Sequence, residues 1–119
     1  MKKVLRTRCP IAYSLDLLGD RWSLVIVRDM MMGKRRFGEF LESSERITTN
    51  VLTDRLIQLE ACGLVAKTRY QSNPPRFEYS LTQRGKALLP VLQEICRWAA
   101  KHLPDSGQAP IRFMQLELK

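Results

Sequence analysis

The stretch Thr48-Thr49-Asn50, followed by Thr53, collects side chains suited to reading the edge of a base pair. Asn can pair with an adenine edge, and Thr offers a hydroxyl to phosphate and a methyl to thymine. Cations flank it in sequence, with Arg35 and Arg36 before and Lys67, Arg69 and Arg76 after; Asn73 adds an amide. Groups of this kind on a connector and a projecting loop suit phosphate or minor-groove contact, which brings affinity and salt dependence without sequence preference. Each also has a plainer role. Thr48 and Thr49 can be helix caps and Asn50 a solvated residue, while the cations can keep an edge hairpin and a connector soluble. A different chemistry is open to Cys9. With Pro10 as the first helical residue, Cys9 lies at an N-cap, where the helix dipole favours a thiolate and Arg6 and Arg8 add positive charge. Against this, a free cysteine is most often an inert small hydrophobe; Cys62 and Cys96 read as structural.

A helix that presents Thr48 to Asn50 needs an apolar stripe on its other side. Leu52, Leu56 and Leu59 supply it, opposite Thr53, Asp54 and Ile57. The spacing predicts a helix capped by Thr48 or Thr49, running to Cys62 and ended by Gly63. Before it come a short helix from Phe37 to Ser43, the tight polar turn Ser44-Glu45-Arg46, and Ile47 as a plug into the core. After it the period changes to alternation. Leu64 to Tyr70 reads as a strand, Gln71 to Arg76 as a loop in which two prolines preclude a strand, and Phe77 to Leu81 as a returning strand. Helix, tight turn, helix and hairpin form a winged arrangement, in which the second helix can enter a major groove by its N-terminal end.

Upstream, Ile11, Leu15 and Leu18 share one face of a helix that starts at Pro10 and stops at Gly19. Asp20 can cap a second helix, apolar nearly all round, that runs to Met32 and ends at Gly33. Downstream, Thr82 can cap a long helix to about His102, with Leu88, Val91, Leu92, Ile95, Trp98 and Ala99 on one face. Pro90 falls inside it and predicts a bend between Lys86 and Pro90. Pro104 to Lys119 mixes turn formers with Ile111, Phe113, Leu116 and Leu118, and disorder, a strand and a helix all stand open for it. The expected fold is mainly α with a small β-hairpin (α+β), a winged helix-turn-helix over residues 1–103 with a C-terminal tail over 104–119.

Composition narrows the partners. The chain has 119 residues, enough for one domain, and its 20 Lys and Arg against 12 Asp and Glu leave a net charge of +8. That surplus favours an anionic partner, nucleic acid before a membrane surface. No basic amphipathic helix with aromatic anchors is present, so no membrane partner is expected. The start, Met1 to Arg6, lacks an apolar segment of signal-peptide type, and Trp22 to Met32 is too short to span a bilayer. Three cysteines without a CxxC pair argue for reduced thiols in a cytoplasm and against structural zinc. A single histidine, His102, no Gly-rich phosphate loop and no metal-ligand cluster make an enzyme, a metal site or a cofactor unexpected.

Several separated segments resemble the HxlR-type transcriptional regulators. They are Cys9-Pro10-Ile11 with Leu15-Asp16-Leu17-Leu18-Gly19-Asp20-Arg21-Trp22, the run from Leu52 to Val65, Pro74 to Thr82, and the late Gly85, Pro90 and Trp98. The resemblance covers Cys9 to about Leu103, in register. It implies a fold related to the MarR group, in which the N- and C-terminal helices form the interface of a homodimer that binds double-stranded DNA at a two-fold symmetric operator. It also implies, at Cys9, the place where several members carry a thiol sensing oxidants or electrophiles; whether a small-molecule or oxidant effector acts here stays open, as does Trp98 between interface and core. The alternative reading is a winged helix module used for protein–protein or RNA contact.

Overall fold

A computed structural model describes residues 7–118. The sequence readings that rest on Met1 to Arg6, including the contribution of Arg6 to Cys9, lie outside the described residues.

The first helix, α1 (Pro10–Leu18), begins with Pro10 in its first turn and Cys9 as N-cap, and buries none of its residues. Helix α2 (Ser23–Met31) forms the centre of the molecule, burying Ile26, Val27, Met30 and Met31. It starts at Ser23, two residues later than a helix capped by Asp20 would. Trp22, not the expected Asp20, is its N-cap, although the Asp20 carboxylate accepts hydrogen bonds from the Trp22 and Ser23 amides at 3.0 and 2.9 Å and from Ser23 Oγ at 2.6 Å. Gly33, at φ 105°, stops the chain from continuing as a helix.

The short helix α3 (Phe37–Leu41) ends before the expected Ser43. There the backbone tightens, with Ser43 N–H donating to Phe40 C=O, and the chain reverses at Arg46, at φ 62°. Ile47 is buried behind that turn. Helix α4 (Thr49–Ala61) follows with Thr48 as N-cap, its hydroxyl accepting from Val51 N–H at 3.4 Å. Leu52, Leu56 and Leu59 are its buried residues, in one core with Ile26, Val27 and Phe40.

Strands β1 (Val65–Ser72) and β2 (Pro75–Leu81) make an antiparallel hairpin longer than expected. The segment read as a loop is paired, Gln71 with Arg76 and Ser72 with Pro75, leaving Asn73-Pro74 at the tip. A proline is compatible with the first position of an edge strand, where its missing N–H breaks no ladder. The register shifts between Arg69 and Gln71, which makes Tyr70 the extra residue.

The long terminal helix also divides, into α5 (Gln83–Lys86) and α6 (Leu89–His102). Pro90 has no N–H to give a preceding turn, so it sits where that loss costs nothing, in the first turn of the second piece. Gly85 packs so closely on the Leu64 carbonyl that a Cβ there would stand 2.2 Å from the oxygen. The tail returns to the body and ends in a short helix, α7 (Ile111–Met114), with Phe113 buried. The fold is thus helical with one two-stranded wing. Among the described residues no helix is long and apolar enough to cross a membrane.

Candidate nucleic-acid interface

The leucine stripe of α4 faces the core, so its opposite side and its N-terminal turn face out. Thr48, Thr49, Asn50 and Thr53 are all exposed. They are not equivalent. Thr48 caps the helix, and Thr53 donates its hydroxyl hydrogen to the Thr49 carbonyl at 2.9 Å. Among the described residues, Thr49 and Asn50 have no side-chain hydrogen bond, which leaves the Asn50 amide open to an external donor–acceptor pair.

The wing lies after α4 in the chain and carries its cations on a shared face. Lys67 Nζ stands 4.2 Å from the Phe77 ring centroid and the Arg69 guanidinium 5.7 Å from it, so one aromatic ring supports both cations. Arg76 and Asn73 are exposed at and next to the tip.

Arg35 and Arg36 behave differently from a free basic arm. Tyr79 N–H donates to the Arg35 carbonyl at 2.7 Å, and Arg36 forms an isolated antiparallel bridge with Glu78, so the connector runs beside β2. Glu39 Oε1 accepts both the Arg35 and the Arg36 amide at 2.8 Å. Those two backbone hydrogen bonds hold the Glu39 carboxyl below the usual carboxylate range. The Arg36 guanidinium pairs with Glu78 at 3.1 Å and lies 4.0 Å from the Tyr70 ring centroid. Arg35 keeps an exposed side chain. Of the two cations, Arg36 is therefore partly committed inside the protein and Arg35 is not.

A second network fixes the turn ahead of α4. Arg28 of α2 donates to both Glu45 oxygens at 2.8 Å, to Asp29 at 2.8 and 3.1 Å, and to Ser43 Oγ at 3.2 Å. The Arg28 hydrogen bonds, with one from Ser43, pull the Glu45 carboxyl far below its ordinary value. Asp20 is tied to α4 through Arg55 at 3.3 Å. Burial pushes its carboxyl up, but the bonds from Ser23 and Trp22 and the nearby Arg55 outweigh that and leave it lowered. Sequence reading passed over both networks, and also over Arg46, an exposed cation two residues before Thr48 whose only local signal was its position.

The profile of the HxlR-like helix-turn-helix family matches residues 17–107. The chain belongs to that family. A curated relative, an uncharacterized HTH-type transcriptional regulator of Synechocystis sp., is 44% identical over 84 residues, or 71% of this chain and 62% of that protein. The chain thus spans less than two thirds of that relative's length. Among solved structures, the redox regulator HypR in its oxidized form superposes with a TM-score of 0.70 at 37% identity, covering 79% of this chain and 97% of HypR. The reduced form of the transcriptional regulator YodB from B. subtilis superposes with a TM-score of 0.70 at 32% identity, covering 85% of this chain and all of YodB. HypR has also been solved reduced, and YodB after diamide treatment. The names attached to this HxlR-like family are those of transcriptional regulators, not of enzymes.

Cys9 of this HxlR-like chain is exposed at the N-cap of α1, and its backbone N–H is bonded to Thr7 Oγ1 at 3.1 Å. Cys62 and Cys96 are half-buried and pack against the core.

Proposed function

We propose that this chain is a cytoplasmic transcriptional regulator that binds a symmetric operator in double-stranded DNA as a homodimer. One observation carries the reading: the N-terminal turn of α4 offers Thr49 and Asn50 to solvent while its leucine stripe is locked in the core. The helix would enter a major groove by that end, with Thr48, Thr49, Asn50 and Thr53 against the base edges. Lys67, Arg69, Asn73 and Arg76 of the wing, together with Arg35 and the half-exposed Arg36, would lie along the flanking phosphates.

The dimer is supported by apolar surface left without cover. Ile11 is 72% exposed and Leu15 58% on α1, and Trp98 is 57% exposed on α6. A soluble protein rarely leaves such a face bare. Residues 1–103 would form the binding domain and 104–119 an appended tail.

Cys9 is assigned as a thiol that senses oxidants or electrophiles. Its exposure on α1 supports this, as do the redox names and oxidation states of the neighbours. A thiol on an interface helix could change the angle between subunits, and with it the spacing of the two recognition helices.

The test is selection of genomic fragments with the purified protein, followed by salt titrations on the best fragment and on random duplex. A paired, symmetric site bound far more tightly than random DNA supports the reading. Weak and equal binding to both removes it and points to the protein or RNA module instead.

A further inference from the structure

A pocket of about 810 Å³, open to solvent on one side, lies between α2, α6 and the returning tail. Val25, Leu92 and Phe113 give it an apolar lining, and Gln108, Ala109 and Pro110 form the strap that passes along it. Pockets for small organic ligands span about 300–1,000 Å³ and are mostly apolar with a few polar groups. Gln108 to Pro110 and Phe113 lie just beyond residue 107, where the family match ends. That tail is held firmly. Phe113 is buried, and the Gln93 side-chain amide lies 3.1 to 3.3 Å from the carbonyls of Phe113, Met114 and Leu116.

Charge selects the occupant. The charged residues lining the cavity are Arg28 and Glu45, joined to each other by two hydrogen bonds of 2.8 Å. Those two charges already satisfy each other, so the lining offers a charged ligand no free partner, while the rest of it is largely apolar. A neutral, largely apolar molecule needs no such partner.

Position links the cavity to the reading helix. Ser44 and Glu45 line it, and they belong to the turn that leads into α4. The lining thus joins α2, the strap and that turn around one space.

We propose that this cavity is an effector site for a small neutral apolar molecule, whose presence is transmitted to α4 through Glu45 and Arg28. The transmission half rests on the DNA-binding reading above; the binding half does not.

The full-length protein is titrated with the neutral fluorescent probe N-phenyl-1-naphthylamine, with circular dichroism checking that each variant is folded. Saturable binding is expected, weakened roughly tenfold or more by Ala109→Trp and by Ala99→Phe, which fill the space, a loss comparable to that of several buried contacts. Ile11→Glu, on the exposed α1 face, should leave probe binding as it is. Probe affinity unchanged in both filled variants overturns the site, and so does loss of binding in Ile11→Glu alone, which would place the probe between copies of the chain.

In a second arm, operator affinity is measured with and without saturating probe, where a change of about fivefold or more is expected for genuine coupling. Equal affinities overturn the transmission. Failure to bind any duplex, with probe binding intact, removes the DNA reading and leaves the cavity standing.

Discussion

Arg28 and Glu45, 17 residues apart in sequence, are joined by two hydrogen bonds of 2.8 Å that tie the central helix to the turn before α4. Both side chains are about one-third exposed, so solvent screens the pair and its worth is modest. Glu45→Gln is expected to lower unfolding free energy by about 1 kcal/mol at pH 7, measured by urea denaturation.

The same pair sets a pH dependence. The folded Glu45 carboxyl titrates well below its ordinary 4.5, held there by Arg28. Its stabilisation is complete above the unfolded value and is lost as pH falls below 4.5 toward the lower folded value. The gap between wild type and Glu45→Gln should therefore narrow on acidification. A gap of constant size from pH 7 to pH 3 would show that the bond contributes through packing alone.

Gly85→Ala places a methyl 2.2 Å from the Leu64 carbonyl oxygen, a backbone atom with no freedom to turn away. The variant is expected to lose about 2–4 kcal/mol, by forcing α5 off the start of the wing. Thermal unfolding checks this; an unshifted midpoint would mean the contact relaxes freely.

Asn50→Ala should weaken operator binding by about 1–3 kcal/mol and leave random-duplex binding unchanged. Normal operator affinity in this variant would mean that a different surface reads the bases.

Arg76→Ala should weaken operator and random duplex alike and reduce the slope of log K against log salt by about 1. A loss confined to the operator would move Arg76 from the backbone to a base.

Ile11→Glu should shift the protein toward monomer in sedimentation equilibrium and weaken operator binding with it, since a buried unpaired carboxylate costs several kcal/mol, roughly. An unaltered mass would assign the α1 face to something other than self-association.

The parts of this fold that sequence reading captured are those with a strong local period. The stripe Leu52, Leu56, Leu59 defines α4, and Pro10 and Gly19 bracket α1, because spacing and chain stiffness act within a few residues. The errors fall where a distant partner decides. Gln71 to Arg76 pair because the bulge at Tyr70 resets the register, and Pro75 is acceptable at a strand start. The final helix breaks because Pro90 prefers a first turn to a bend inside one. At the candidate site, exposure of Thr49 and Asn50 followed from the leucine period. The commitment of Arg36 to Glu78 and Tyr70 did not, because those partners come from strands tens of residues further along.

Because Arg36 pairs with Glu78 and lies over the Tyr70 ring, a tilt of the hairpin about its base would take the connector with it. The hairpin's arm is the 8-residue β1, about 26 Å long at the usual rise per residue. A tilt of about 10° at the base then displaces the tip by roughly 4.5 Å, more than the reach of a hydrogen bond. Such a tilt would carry Asn73 and Arg76 together, and removing the contacts of Arg36 would free the hairpin from the connector.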